Sequence, residues 1–399
     1  MTSRDLIVVG GGPAGVMTGL LFARAGAQVT VFEKHADFYR DFRGDTVHPS
    51  TMEILEQLGL LERFLQRPHN RLDRAQLRMA GREWKIGDLS HLATPAPFIA
   101  MMPQWEFLNF LRDAASAYPG FSIEMTAPVT GFIDEDGRIR GATLADGSEH
   151  RARLVIAADG RSSLVRSEGL LPIEDLGAPL DVFWFRLPKE STQGDALQGV
   201  VEAGRILVLI DRGDYWQCAF AIPKGTAAAI REAGVAAFRQ MLGVLAPDLD
   251  SKAITSFDDL HLLTVALDRL RCWHRPGLLA IGDAAHAMSP IGGVGINLAI
   301  QDAVAAANLL AGPLVAGADV DRLLGKVEAR RLLPTRLVQA AQKRAQDGIL
   351  TPLLARAEPL RDAPWIIRLL DRIPLLRRIP GRMIGLGIRR ERVTSPEAC

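Results

Sequence analysis

The feature that most restricts this chain is a glycine spacing in a fixed setting. Gly10-x-Gly12-x-x-Gly15 falls directly between an apolar run, Leu6–Val9, and a helical stretch from about Pro13 to Ala25 that Gly26 closes. A second strand, Gln28–Glu33, comes next with β-branched Val29, Thr30 and Val31. Strand, turn, helix and strand in that order predict a βαβ unit of a parallel sheet. The first glycine permits the tight turn, the second lets main-chain N–H groups approach a pyrophosphate, and the third allows close helix–sheet packing. Pro13 and Ala14 then open a helix whose N-terminus favours an anion. Glu33, at the end of the second strand, can accept hydrogen bonds from ribose hydroxyls, and its charge disfavours a ribose 2′-phosphate. FAD or NAD therefore suits the site better than NADP, and the motif alone leaves those two open.

Composition narrows the setting. A chain of 399 residues exceeds the usual size of one domain, so two domains are expected. The net charge of +1 gives no global attraction to nucleic acid, and no nucleic-acid partner is expected. Cys218, Cys272 and Cys399 are distant and form no CxxC pair. That excludes a redox-active disulfide and suits free thiols in a cytoplasmic protein. The first 23 residues are broken by Gly10–Pro13 and do not read as a signal peptide. No uninterrupted apolar run approaches the roughly 20 residues that a membrane-spanning helix needs.

Further along, Ser50 with Glu53 predicts a capping box opening a helix that stops at Gly59. Another helix begins after Pro103, with Trp105, Leu108 and Leu111 at helical spacing. Short strands with turns at Glu135–Gly137 and Ala145–Gly147 lead to a buried strand, Leu154–Ala158. Val182–Leu187, Ile206–Asp211 and Tyr215–Ile222 predict an antiparallel, substrate-facing sheet, and a helix is expected at Gly234–Leu245. Gly277–Ile281 returns to a buried strand, Gly295–Leu310 to a helix, and the chain beyond Asp321 is helical and arginine-rich. The expected fold is α/β, a Rossmann-type FAD-binding domain interleaved with a mainly antiparallel β-sheet substrate domain, plus C-terminal helices. The expected boundaries are 1–72, 98–176 and 265–330 for the first, 73–97 and 177–264 for the second, and 331–399 for the C-terminal helical region.

Two more motifs occupy strand ends. Asp159-Gly160 begins the run to Arg166, placing a carboxylate at the carboxyl end of a strand, where Ser163 can cap the next turn of helix. Gly282-Asp283 opens a longer string through His286, Pro290, Gly293, Gly295, Ile296 and Asn297. Asp283 is placed for a ribityl hydroxyl. The glycines expose N–H groups at a helix start, suited to a flavin edge that gains negative charge on reduction.

With these three strings in this order, residues 5–345 resemble the class A flavoprotein monooxygenases of the para-hydroxybenzoate hydroxylase fold. The resemblance implies FAD as the bound cofactor, NAD(P)H as a transient reductant, and O2 as the oxidant. Oxygen would pass from a flavin C4a-hydroperoxide to an electron-rich carbon of a phenolic or related small molecule. It further implies that Lys34, Arg43 with Gly44, and Gln104 touch FAD. Asp159 and Gly160 would serve both FAD and NAD(P)H, Asp283 would hold the ribityl chain, and Pro290 would lie beside the reacting edge. No second strand-GxGxxG-helix unit is present for a separate nicotinamide domain, which fits that family. A reductase of the geranylgeranyl reductase kind and a non-catalytic FAD-binding protein are the alternatives; the settings of His286 and Asn297 tilt against the former.

Such chemistry requires neither a catalytic triad nor a metal, and none is read here. On the substrate side the candidates are Asp45 and His48 in the 43–49 loop and Tyr215 and Gln217 on the sheet. Alternation places Tyr215 and Gln217 on one face and Trp216 and Cys218 on the other, so only one pair can line a pocket. His48 has a plainer alternative, a loop histidine bonded to nearby main chain. The C-terminal stretch carries Arg368, Arg372, Arg377, Arg378, Arg382, Arg389, Arg390 and Arg392 among apolar residues. Such a segment could lie on anionic lipid. Pro364, Pro374 and Pro380 divide it, and the preferred expectation is that its pieces pack their apolar side on the flavin domain of a monomer or homodimer.

Overall fold

The structure is a computed structural model and describes residues 4–39, 46–189, 198–202, 204–355, 358 and 360–398. Arg43, Gly44, Asp45 and Cys399 lie outside the described residues.

The opening folds as the glycine spacing demands. Strand Arg4–Val9 pairs in parallel with Val29–Phe32 on one side and with Glu149–Ala157 on the other. Leu278–Ala280 and Phe121–Glu124 extend this sheet in parallel, and a hairpin of Val129–Glu135 and Arg138–Leu144 branches from the first residues of the interior strand Glu149–Ala157. Parallel strands need covering on both faces. Helix α1, Pro13–Arg24, is buried along nearly its whole length. Helix α2 spans Pro49–Gln57, α3 Gln104–Ala115, α4 Gly234–Leu245, α5 Gly295–Val315 and α6 Asp321–Ala345. Helix α5 has the length and mean hydropathy of a bilayer-crossing helix, although Asn297, Gln301, Asp302 and Asn308 interrupt its apolar run as expected from the sequence, and 72% of its apolar window is buried, against α1 and α6.

A second sheet holds seven strands in the order His261–Leu263, Leu180–Pro188, Tyr215–Pro223, Arg205–Asp211, Gln198–Glu202, Arg74–Met79, Arg82–Asp88. All pairs are antiparallel except Gln198–Glu202 with Arg74–Met79. The last two strands carry no clear sequence signal, because Arg74, Gln76, Arg78, Glu83 and Lys85 interrupt any apolar period. One face is sealed by α4, whose Phe238 packs at 5.3–6.0 Å from the rings of Phe183, Phe185 and Phe220. A three-stranded sheet of Thr46–Val47, Ile99–Met101 and Asn70–Leu72 joins the two parts.

Helix α2 begins two residues earlier than the capping box implies. His48 is its N-cap and Pro49 its first residue, whose fixed φ suits that position. Glu53 pairs with Arg390 instead of closing a box. The C-terminus also differs from expectation. Helix α7, Trp365–Arg372, and α8, Pro374–Leu386, are separated at Pro374, whereas Pro380 sits inside α8 without ending it. They pack on the edge strand Arg82–Asp88 of the second sheet, not principally on the flavin-binding part. Ile367 joins Met79, Trp84 and Leu360, and Leu386 joins Leu72, Leu89 and Leu92, while Trp365, Leu375 and Ile379 stay exposed. Gly381 makes the approach possible, since a Cβ there would lie 1.9 Å from the Asp88 carbonyl oxygen.

Candidate active site

Three loops meet at the carboxyl ends of the parallel strands, where ligands of such sheets bind. The first is the glycine turn. Gly10 has φ +99°, and a Cβ on it would strike the Ala158 carbonyl at 2.6 Å. A Cβ on Gly15 would lie 1.9 Å from the Gly10 carbonyl oxygen, so the helix can approach the strand only with glycine there. Gly12 is different, because nothing lies within 4 Å of a Cβ built on it. Its lack of a side chain serves no protein contact and leaves open space beside the start of α1. The α1 N-terminus has no side-chain cap and no acid in its first turn, leaving N–H groups for an anion. Glu33 is buried, with one carboxylate oxygen accepting from Gly11 N–H at 2.8 Å and the other from His35 N–H at 3.0 Å. A carboxylate oxygen accepts more than one hydrogen bond, so these contacts are compatible with a ribose hydroxyl as a further donor. Exposed Lys34 stands near enough to Asp159 to favour its charged form.

The second loop starts at Asp159. Ser163 is the N-cap of the short helix Leu164–Ser167, but Asp159 does the capping, its Oδ2 accepting from Leu164 N–H at 2.9 Å. Asp159 Oδ1 is buried with no hydrogen-bond partner among the described residues. Burial raises the carboxyl above its usual pKa, partly offset by the hydrogen bond accepted from Leu164 N–H. Gly160 turns the chain with φ +82° and open space at its Cβ position.

The third loop is tied to the second by two arginines. Arg161 Nε donates to Asp283 Oδ2 at 3.1 Å, and Arg166 Nε donates to the Ala284 carbonyl at 2.8 Å. Gly282 has φ +59°, and a Cβ there would crowd those of Ala14 and Ala299 at 3.1 and 3.2 Å. Asp283 remains one-third exposed beside Gly295, the uncapped first residue of α5, with Ile296 next in the helix. Pro290 opens the turn Ile291–Gly293. Gly293 has φ +61°, and a Cβ on it would meet Thr46 Oγ1 at 2.5 Å. Asn297 is buried and committed to protein. Its Oδ1 accepts from His48 N–H at 2.9 Å and Thr51 Oγ1 at 2.7 Å, and its Nδ2 donates to the Thr46 and Gly293 carbonyls. Gln104 begins α3, half-buried. The open Gly12 position, the uncapped starts of α1 and α5 and the orphaned Asp159 oxygen together fit a pyrophosphate and a flavin.

On the substrate side the structure separates the faces. Trp216 and Cys218 point into the cluster with Phe238, so they are sealed beneath α4. Burial raises the Cys218 thiol far above its ordinary value. Tyr215 and Gln217 therefore lie on the opposite face, that of Trp184, Val208 and Ile210, which pack with Ile99, Met101 and Leu386 toward the flavin end. Arg186 stacks over Tyr215 at 4.8 Å, and Arg212 Nε donates to Gln217 Oε1 at 3.0 Å. His48 is wholly buried, and its Nδ1 lies 2.8 Å from the Ile384 carbonyl of α8. Facing a carbonyl, that nitrogen must carry the proton. Burial pulls the ring's pKa down to about 4, partly offset by the Ile384 bond. The role of α8 in this site had no sequence signal beyond Gly385, whose missing side chain admits Leu89, Leu92 and Pro49.

Residues 3–341 match the profile of a family described as FAD binding domain. The chain is 36% identical over 336 residues to the 6-methylpretetramide 4-monooxygenase of Streptomyces rimosus, covering 82% of this chain and 80% of the relative. It is 30% identical over 311 residues to a rifampicin monooxygenase of Streptomyces venezuelae, covering 75% of this chain and spanning 62% of that longer protein. Among solved structures, PqsL of Pseudomonas aeruginosa, named a probable FAD-dependent monooxygenase, superposes with a TM-score of 0.75 at 21% identity, covering 89% of this chain and 99% of that one. Two of these relatives are named monooxygenases and the third a probable FAD-dependent one. The glycine cradle, the Asp159 and Asp283 loops and these relatives agree that the chain belongs to the FAD-binding-domain family and is an FAD-dependent aromatic monooxygenase.

Proposed function

We propose that the substrate is a polycyclic phenol of the aromatic polyketide kind. The carrying observation is the 36% identity, over most of both chains, to an enzyme named 6-methylpretetramide 4-monooxygenase. The apolar face of Trp184, Val208, Ile210, Met101 and Leu386 supports it, since a flat hydrocarbon ring system gains by leaving water there. Bound FAD supplies the redox chemistry, with one oxygen atom of O2 going to the ring and the other leaving as water at the expense of NAD(P)H.

Each of the chain's own groups then has a task. Gly10, Gly12, Pro13, Ala14 and Gly15 hold the pyrophosphate, Glu33 the adenosine ribose, and Asp283 the ribityl chain. Pro290, Gly293, Gly295 and Ile296 border the flavin ring. Asp159 and Gly160 serve FAD and NAD(P)H, with Lys34 and Gln104 at the margin of the dinucleotide. Arg43 keeps its assignment to FAD from the resemblance, and Asp45 its place as a substrate-side candidate from the sequence. Tyr215 and Gln217 orient the phenol, which reacts best as its hydroxyl loses a proton. We assign His48 to holding α8 against the flavin end, because its ring is buried and its proton is given to Ile384. Asn297 is assigned to fixing the turn at Gly293. The division at 73–97 and 177–264 is taken as the substrate domain, in a cytoplasmic monomer or homodimer whose C-terminal helices pack inward. Phenol-stimulated NAD(P)H oxidation tests the reading. A panel from simple phenols to four-ring phenolic polyketides should show stimulation increasing with ring number, and stimulation by single-ring phenols alone would refute it.

A further inference from the structure

Helix α6 inverts the usual pattern, in which a helix buries its apolar stripe. It and the π-turn that continues it, Gln346–Leu350, bury Arg331, Thr335, Gln339, Gln342 and Gln346, each 5% exposed or less. These positions recur every three or four residues and so share one face. Burying that much polar surface is costly unless partners are supplied, and the partners form a pattern.

Arg331 Nε donates to Asp302 Oδ1 at 2.8 Å. The other Asp302 oxygen accepts from Gly282 N–H at 3.1 Å and meets His286 Nε2 at 2.6 Å. Gln339 Nε2 donates to the Ala287 carbonyl at 3.2 Å. Gln342 Nε2 donates to the carbonyls of Ser289 and Ile291 at 3.0 and 2.9 Å, while its oxygen accepts from Ser289 N–H at 3.2 Å. Gln346 Nε2 donates to Ser289 Oγ at 2.8 Å. Taken along the helix, the stripe holds residues 287, 289 and 291 of one segment directly and 282 and 286 through Asp302 of α5, while Gln339 Nε2 also donates to the Asp268 carbonyl at 2.8 Å. That segment carries Asp283 and Pro290. Gln346 Oε1 and Thr335 Oγ1 remain buried without hydrogen-bond partners among the described residues, so the stripe is not arranged for greatest stability. Glu391 extends the chain of contacts to the C-terminus, pairing with Arg331 and Arg330.

We propose that Arg331, Gln339, Gln342 and Gln346 are positioning residues that set the main chain of 282–291, and through it the placement of Asp283 and Pro290 against the flavin. The inference rests on the reading that this segment borders the flavin. Helix α6 is then a template for the cofactor loop and not merely a support, and part of that template, Gln342 and Gln346, lies beyond the family-matched region. A π-turn at Gln346 suits this role, since such turns cluster at functional sites.

The test uses the full-length protein with and without FAD. Gln342→Met and Gln346→Met keep side-chain length but remove the amide. The FAD Kd should rise about tenfold, the equivalent of one or two lost neutral hydrogen bonds. The visible flavin absorption band and the reduction potential should shift, while the apoprotein melts close to the parent. Ser289→Ala removes only the hydroxyl held by Gln346 and should give the same changes at smaller size, which keeps the test valid if Gln342→Met does not fold. FAD affinity, spectrum and potential unchanged in all the variants that fold would overturn the proposal, as would equal loss of melting temperature with and without FAD. Asp283→Ala measured in parallel separates the two layers. If it leaves the FAD Kd unchanged, the placement of the segment fails; if it weakens binding while the glutamine variants do not, only the template fails.

Discussion

The flavin end and the seven-stranded sheet achieve order by opposite means. At the proposed flavin end the chain is shaped by positions where the protein leaves no room for a side chain, Gly10, Gly15, Gly282 and Gly293, with Gly12 open beside them. On the seven-stranded sheet side chains do the shaping, with Phe183, Phe185, Trp216 and Phe220 filling one face and Trp184, Val208 and Ile210 forming the other. A cradle of N–H groups requires fixed spacing, whereas a wall of side chains requires only alternation and volume. The first is therefore tied to one ligand and the second is free to vary its substrate.

The sharpest break of this comparison is within the glycine turn itself. Gly15→Ala should cost the fold about 3 kcal/mol or more, because its Cβ would overlap a carbonyl oxygen. Gly12→Val should leave the apoprotein's melting temperature nearly unchanged yet abolish FAD retention, since only ligand space is filled. Thermal melts with and without FAD check both, and equal behaviour of the two variants would contradict the distinction.

The seam between the regions gives a pH effect of similar size. The folded pKa of His48, about 4, lies below its ordinary 6.5. The neutral ring therefore contributes its full stability above pH 6.5, and that contribution is lost as pH falls from 6.5 toward 4, by about 3 kcal/mol in all. In His48→Asn, which cannot titrate, the melting temperature should fall less steeply across that window. A parallel fall in both proteins would show that His48 is not the group responsible.

Smaller effects divide the two regions cleanly. Asp283→Ala should weaken FAD binding by about 1.5–3 kcal/mol, the worth of a charge-assisted hydrogen bond, and leave the fold intact. Gln217→Leu and Tyr215→Phe should alter the KM for a phenolic substrate by about fivefold, near 1 kcal/mol, with the FAD Kd unmoved. Loss of FAD from the Gln217 variant would erase the boundary drawn between cofactor cradle and substrate face.

The same contrast explains which features are legible in the residues alone. Gly10–Gly15 with Glu33, Asp159-Gly160 and Gly282-Asp283 are legible because main-chain sites fix residue types at set intervals. The interleaved sheets and α4 emerge from alternation and helical period. The strands at Arg74–Met79 and Arg82–Asp88 are not legible, since their charged edge residues hide the period. The capping box at Ser50 misleads because Pro49 is an equally good helix start, and Glu53 finds a partner, Arg390, more than three hundred residues away. The polar stripe of α6 and the bond from His48 to α8 are invisible for the same reason: each joins groups distant in the chain, and pattern within one helix carries no trace of what faces it.

The most direct measurement is turnover under heavy-isotope dioxygen. Purified holoenzyme with NAD(P)H and a polycyclic phenol that accelerates its oxidation should give a product carrying one heavy oxygen atom from the gas. A product whose new oxygen comes from water, or substrate-stimulated NAD(P)H oxidation that yields only hydrogen peroxide with every phenol tried, would contradict the account.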